Sequence, residues 1–166
     1  MATQSIQYAS TADIVCDVSS LATSSTFQGG YESTQQDNTS NLYTDALVEG
    51  IITTGTSPTL GASIRVYAWG ATVSLATVAK DTLDGTASAE TLTVADPDFL
   101  RQIASITITA TSNITYAFGP INLAQYFGGV MPNYWGLFVT HNTGVNLNAT
   151  AGNHDFKFTG IKHTIA

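Results

Sequence analysis

Three histidines, His141, His154 and His163, fall within the last 26 residues and form the densest set of metal-ligating side chains in the sequence. Imidazoles on neighbouring strands can hold zinc, but spacings of 13 and 9 match no short ligand motif of the His-Glu-x-x-His kind. They read as strand-end or turn histidines, and no metal is expected. Cys16 is the single cysteine and lies in Asp-Ile-Val-Cys-Asp-Val, so it reads as a small core hydrophobe with no disulfide partner. Asp81 and Asp84 before Gly85, and Asp96 with Asp98, carry carboxylates of the kind that bind calcium, without the twelve-residue spacing of a calcium loop. There is no Gly-x-Ser-x-Gly, no phosphate loop and no dinucleotide fingerprint; the pairs Gly29-Gly30 and Gly128-Gly129 read as turns. No particular pair of acids stands out for glycoside hydrolysis, whose carboxylate separation is a property of the fold. The residues point away from an enzyme and away from any cofactor.

Aromatic side chains carry the remaining signal. Tyr126, Phe127, Tyr134, Trp135 and Phe138 cluster within 13 residues and are the candidate protein-interface set. Alternation puts Trp135, Leu137 and Val139 on one face of a strand and Tyr134, Gly136, Phe138 and Thr140 on the other. Both faces are apolar enough to be covered, which suits a central sandwich strand whose outer face meets another chain. A sugar-stacking platform built on Tyr134 and Trp135 is one competing use of the same rings, and packing of the sandwich core is the plainer one.

The elements that would position these residues are strands. Charged residues make up only 10% of the chain, while 26 Thr and 14 Ser supply its polar surface. Threonine fits a pleated, half-buried strand and suits a helix interior poorly. From residue 42 onward, β-branched and aromatic runs alternate with Gly, Pro, Asn and Asp breaks. In Ala62-Ser-Ile-Arg-Val-Tyr-Ala-Trp69, Ile64, Val66 and Ala68 face one way, and Arg65 is expected on the outer side. Residues 73–78 are expected to continue or return that strand. Asp96-Pro97 can start a helical turn, with Phe99, Leu100 and Ile103 on one face. Residues 123–127 can form one more. About eight short strands at near-regular spacing predict an all-β, jelly-roll-like β-sandwich. Residues 1–41 are the most polar part and are expected as a polar N-terminal arm or edge strands, with the sandwich domain over 42–166.

Charge narrows the partners. Residues 1–64 hold six acids and no Lys or Arg, within a net charge of −7. Such a surface repels phosphate backbones and anionic lipid, so direct nucleic-acid or membrane binding is disfavoured. No stretch approaches the ~18 apolar residues of a membrane span, and no basic-then-apolar leader opens the chain. A soluble chain made in the host cytoplasm is expected.

Two segments carry a resemblance. They are Asp45-Ala-Leu-Val-Glu-Gly-Ile-Ile-Thr-Thr-Gly-Thr-Ser-Pro58 and the run from Gly119-Pro-Ile-Asn-Leu-Ala-Gln-Tyr-Phe through Tyr134-Trp-Gly-Leu-Phe-Val-Thr-His-Asn-Thr-Gly144. Both resemble small proteins encoded among the virion genes of tailed bacteriophages, and the likeness extends from about residue 42 to the C-terminus. The resemblance implies a structural virion role, as a head decoration or cement protein on the outer capsid surface. It implies the major capsid protein and copies of itself, most often three, as partners. It supplies no catalytic residue. A carbohydrate-binding module and a tail, neck or head-fibre component are the alternatives.

Overall fold

Residues 4–165 are described by the computed structural model. Eleven strands follow one another: β1 (Gln4–Tyr8), β2 (Ala12–Asp13), β3 (Gly29–Glu32), β4 (Gln36–Asp37), β5 (Asp45–Thr53), β6 (Ser63–Ala71), β7 (Ser88–Thr91), β8 (Leu100–Thr107), β9 (Thr115–Asn122), β10 (Tyr134–His141) and β11 (Asp155–Ile165). A 3-10 turn, Ala124–Phe127, precedes β10, and another, Ala151–Asn153, precedes β11. The chain is an all-β sandwich of two antiparallel sheets.

One sheet runs β1-β11-β5-β9, with β2 also on β11; the other runs β7-β3-β10-β6-β8, with β4 also on β10. The pairings are nested. β6 pairs with β8, β5 with β9, β3 and β4 with β10, and β1 and β2 with β11. The chain is thus one long hairpin folded around the β6–β8 connection, and wrapping it brings β5 onto β11 and β6 onto β10.

Alternation becomes burial. Ile64, Val66 and Ala68 of β6, with Trp135, Leu137 and Val139 of β10, face Ala46, Val48 and Ile52 of β5 and Phe156 and Phe158 of β11 across the gap between the sheets. The Trp135 indole meets the Phe158 ring edge to face, with centroids 5.1 Å apart and planes at 88°. The β5–β9 ladder slips by one residue at Gly119-Pro120. Gly119 has φ +87°, and a Cβ there would stand 2.4 Å from the Val48 carbonyl oxygen, so only glycine fits.

Segment 4–41 is threaded through the sandwich instead of standing apart from it. Ile14, Cys16, Val18 and Leu21 lie in the inter-sheet core, while β1 to β4 add to both sheets. Of the segment expected as a polar arm or edge strands, β1 lies at the edge of its sheet; residues 1–3, like Ala166, lie outside the described residues. Two expectations are corrected. Residues 72–78 form turns instead of a strand, because Leu75 dives inward while Val73 and Val78 stay exposed. Asp96 starts no helix: it sits at φ +48°, and Leu100 already begins β8.

Candidate interaction surface

The three histidines do not converge. His141, buried on β10, is held by the Thr143 hydroxyl (2.9 Å) and the Leu21 carbonyl (3.0 Å). Burial pulls its pKa below the usual imidazole value. His154 accepts the Thr53 N–H at Nδ1 (3.3 Å) and donates from Nε2 to the Asn148 carbonyl (2.9 Å), fastening the turn before β11. His163 is exposed, opposite Ile6 on the β1–β11 ladder. Among the described residues, no three His, Cys, Asp or Glu side chains gather as metal ligands would. The Cys16 thiol is buried, and desolvation first, then Asp17 and Glu32, push its pKa far up, so it is a poor nucleophile here.

The loop acids are engaged with their own backbone. Asp81 Oδ2 accepts from the Thr93 N–H (2.8 Å) and hydroxyl (3.0 Å), and Asp84 Oδ1 accepts the Thr86 N–H (2.8 Å). Asp96 accepts the Tyr67 hydroxyl proton at 2.6 Å and lies 3.7 Å from Arg65. Arg65 is on the outer side, as expected, stacked 3.6 Å above the centre of the Phe27 ring.

The five aromatic candidates separate into three environments. Trp135 is sealed between the sheets. Phe138 is sealed on the opposite face of β10, with Tyr134 packed at its margin. Sequence reasoning assigned that outer face to another chain. It is covered instead by this chain's own β6–β8 connection, whose Leu75, Leu83 and Leu92 pack with Leu100 on Tyr67, Trp69 and Phe138. The buried Trp135 ring cannot stack a sugar, whereas Tyr134 is half-buried at the margin of the outer cluster. Tyr126 and Phe127 sit in the 3-10 turn and are only half-buried.

A polar tether holds this covering segment in place. Glu32 is fully buried at the end of β3, where Oε2 accepts the Asp84 N–H (3.0 Å) and Oε1 the Gly85 N–H (2.9 Å). Desolvation raises its pKa to about 7 against the opposing pull of those two N–H groups. Gln35 adds a second clamp, accepting the Leu75 N–H (2.8 Å) and donating to the Ser74 hydroxyl (3.0 Å). Nothing in the polar run around Glu32 distinguishes that acid from its solvated neighbours, so sequence reasoning missed it.

Where the covering segment meets the 3-10 turn, an open apolar groove of about 340 Å³ remains. Its floor is Gly70, against which Phe127 and Pro132 lie so closely that a Cβ would stand 2.9 and 2.7 Å from them. Val73 and Val78 line it and are half or more exposed, and nearby Val130 is 70% exposed. Lys80 closes one end, its ammonium donating to the Gly70 carbonyl at 2.6 Å. A larger groove, about 610 Å³, runs between residues 19–31 and β7, with Thr26, Tyr31 and Glu90 on its walls. Of the aromatic candidates, Phe127 alone lines the apolar groove, and Val73 and Val78 are contributors that sequence patterning did not single out.

The chain matches no protein-family model, and no curated protein is similar to it.

Proposed function

We propose that this chain is a structural protein of a tailed-bacteriophage particle, a capsid decoration protein with a jelly-roll fold. In this reading it sits on the outer head surface, binds the major capsid protein and stabilises the shell by fitting instead of by catalysis. The nested pairing, outer strand on outer strand and inner on inner, supports the jelly-roll reading. The net charge of −7 suits the outside of a shell better than a DNA-facing interior.

The observation that carries the proposal is the apolar groove around Phe127. The chain has already covered the outer face of the β10 sheet with its own residues, yet leaves Val73 and Val78 in water at the groove beside that cover. Exposed apolar side chains gathered at a groove mark an interaction site, and the major capsid protein is the partner proposed for it. The test is reconstitution on particles stripped of this protein. Wild type is expected to co-sediment with them and raise the temperature at which DNA is released, and Val73→Asp with Val78→Asp to abolish both. Stripped particles that withstand heat and osmotic shock as well as intact ones would overturn the stabilising role.

A further inference from the structure

We infer that β1 is a docking edge for a second copy of this chain, the two β1 strands pairing antiparallel across a twofold axis. β11 pairs with β5 only over residues 155–161, and β1 pairs with β11 over residues 161–165. The two therefore run past the end of β5 as a two-stranded ribbon. All five residues of β1 are exposed, Ile6 at 60% and Tyr8 at 66%. An isolated two-stranded ribbon is marginal in water, whereas a third and fourth strand make it independently stable.

The strand edges of the sandwich differ in how they are protected. Unpaired edges invite another chain, and proteins blunt them with charge, proline or bulges. Among the described residues, edge strand β7 carries Glu90, β8 carries Arg101, and β9 carries Pro120 at its register slip. The stretch of β11 beyond β5 carries Lys162. β1, Gln-Ser-Ile-Gln-Tyr, has no charge, no proline and no glycine.

The backbone directions are set by the register. The Ala9 N–H donates to the Gly160 carbonyl at 2.8 Å, so by alternation Ser5 and Gln7 also hydrogen-bond towards β11. The N–H and C=O groups of Gln4, Ile6 and Tyr8 then aim away from the sheet. Pairing centred on Ile6 sets Ile6 against its counterpart and Gln4 against Tyr8, forming about six backbone hydrogen bonds. The strand is therefore complementary to itself. Two chains of net charge −7 repel over most of their surfaces, and an uncharged projecting strand lets their backbones meet with that repulsion least. The product is a closed pair, not the threefold set that a shell position alone suggests.

Sedimentation of the isolated protein tests this with no shell present, so failure here leaves the particle reading standing, and failure of shell binding leaves this one standing. Wild type is expected to have the mass of two chains at high micromolar concentration and of one on dilution. Ile6→Pro removes an N–H that points away from β11, so it should leave the ribbon intact while halving the mass at high concentration. If Ile6→Pro loses its β-sheet circular dichroism, Ile6→Lys at the same outward position is read in its place. Amide exchange at Ile6 and Tyr8 should slow as wild type is concentrated and stay fast in the variant. A wild type that remains single at every concentration, that assembles in threes, or whose pair persists in the folded variant overturns the inference.

Discussion

β10 and β11 are the central strands of their sheets, yet their outer faces are opposites. On β10 every residue after Tyr134 is buried, and Phe138 and Thr140 on the outer face are as hidden from water as Trp135 and Leu137 on the inner. On β11 burial alternates from Asp155 to Gly160: Phe156 and Phe158 are buried, Lys157 and Thr159 half-exposed. The difference comes from chain routing. The β6–β8 connection folds back over β10, whereas β11's outer face keeps a water-facing dress of hydroxyls and the ion pairs of Lys157 with Asp13 (2.7 Å) and Asp155 (2.9 Å). Apolar residues on both faces of a strand therefore announce a cover without saying which chain supplies it.

The largest expected effect sharpens that comparison. If the outer cover of β10 is a true second core, Phe138→Ala should cost about 3–5 kcal/mol, as much as Trp135→Ala between the sheets. Urea unfolding measures both. A Phe138→Ala loss below about 1 kcal/mol would mean that the connection lies on the sheet without packing into it.

The intermediate effect concerns what holds the cover down. Glu32 has a folded pKa of about 7, above the ordinary carboxyl value, so the native state binds its proton more tightly than the unfolded chain does. Its contribution is fully present below pH ~4.5 and is lost as pH rises through about 7, because there the fold must bury a charge. The change should be roughly 2–3 kcal/mol across that window. Asp17 and Asp37, whose pKa values are lowered first by hydrogen bonds to Ser19 and Thr39, work in the opposite sense at lower pH. The informative quantity is thus the difference between wild type and Glu32→Gln. Denaturant titrations from pH 4.5 to 8 should show the gap between them widening in favour of the variant as pH rises. A constant gap would show that Glu32 keeps an ordinary pKa in the fold.

The same contrast explains what was legible in the sequence. Where one face is wet, as along β11, period-two alternation survives in the residue types and the strand can be read directly. β6 and β10 were legible as strands too, being rich in β-branched and aromatic residues bounded by turn signals. The cover was not legible, because Leu75, Leu83 and Leu92 share no helical or strand period: Leu75 is delivered by a turn, Leu83 by an isolated bridge to Lys80 and Leu92 by the residue after β7. β2 and β4, at two residues each, are too short for alternation to mark, and they owe their pairing to backbone hydrogen bonds that any side chain permits. The groove at Phe127 shared that fate. Its valines, at 73 and 78, lie far in sequence from Phe127 and Pro132, and only the return of the chain to Gly70 unites them.

The smallest expected effect compares one residue type in the two settings. Thr140 on β10 and Thr159 on β11 both occupy outer faces, and both hydroxyls are hydrogen-bonded, Thr140 donating to the Gly29 carbonyl and Thr159 pairing with Thr11 at 2.8 Å. Valine keeps the shape and removes the hydroxyl. At position 140, which is wholly buried, the change leaves a carbonyl short of a partner with no water to replace it, and Thr140→Val should cost about 1–2 kcal/mol. At position 159 water takes over the lost bond, and valine favours a strand at least as well as threonine, so Thr159→Val should stay within about 0.5 kcal/mol of wild type. Chemical denaturation of the two single variants decides it. Equal losses would mean that the outer face of β10 is as wet as that of β11, and the two sheets would then differ in sequence dress alone.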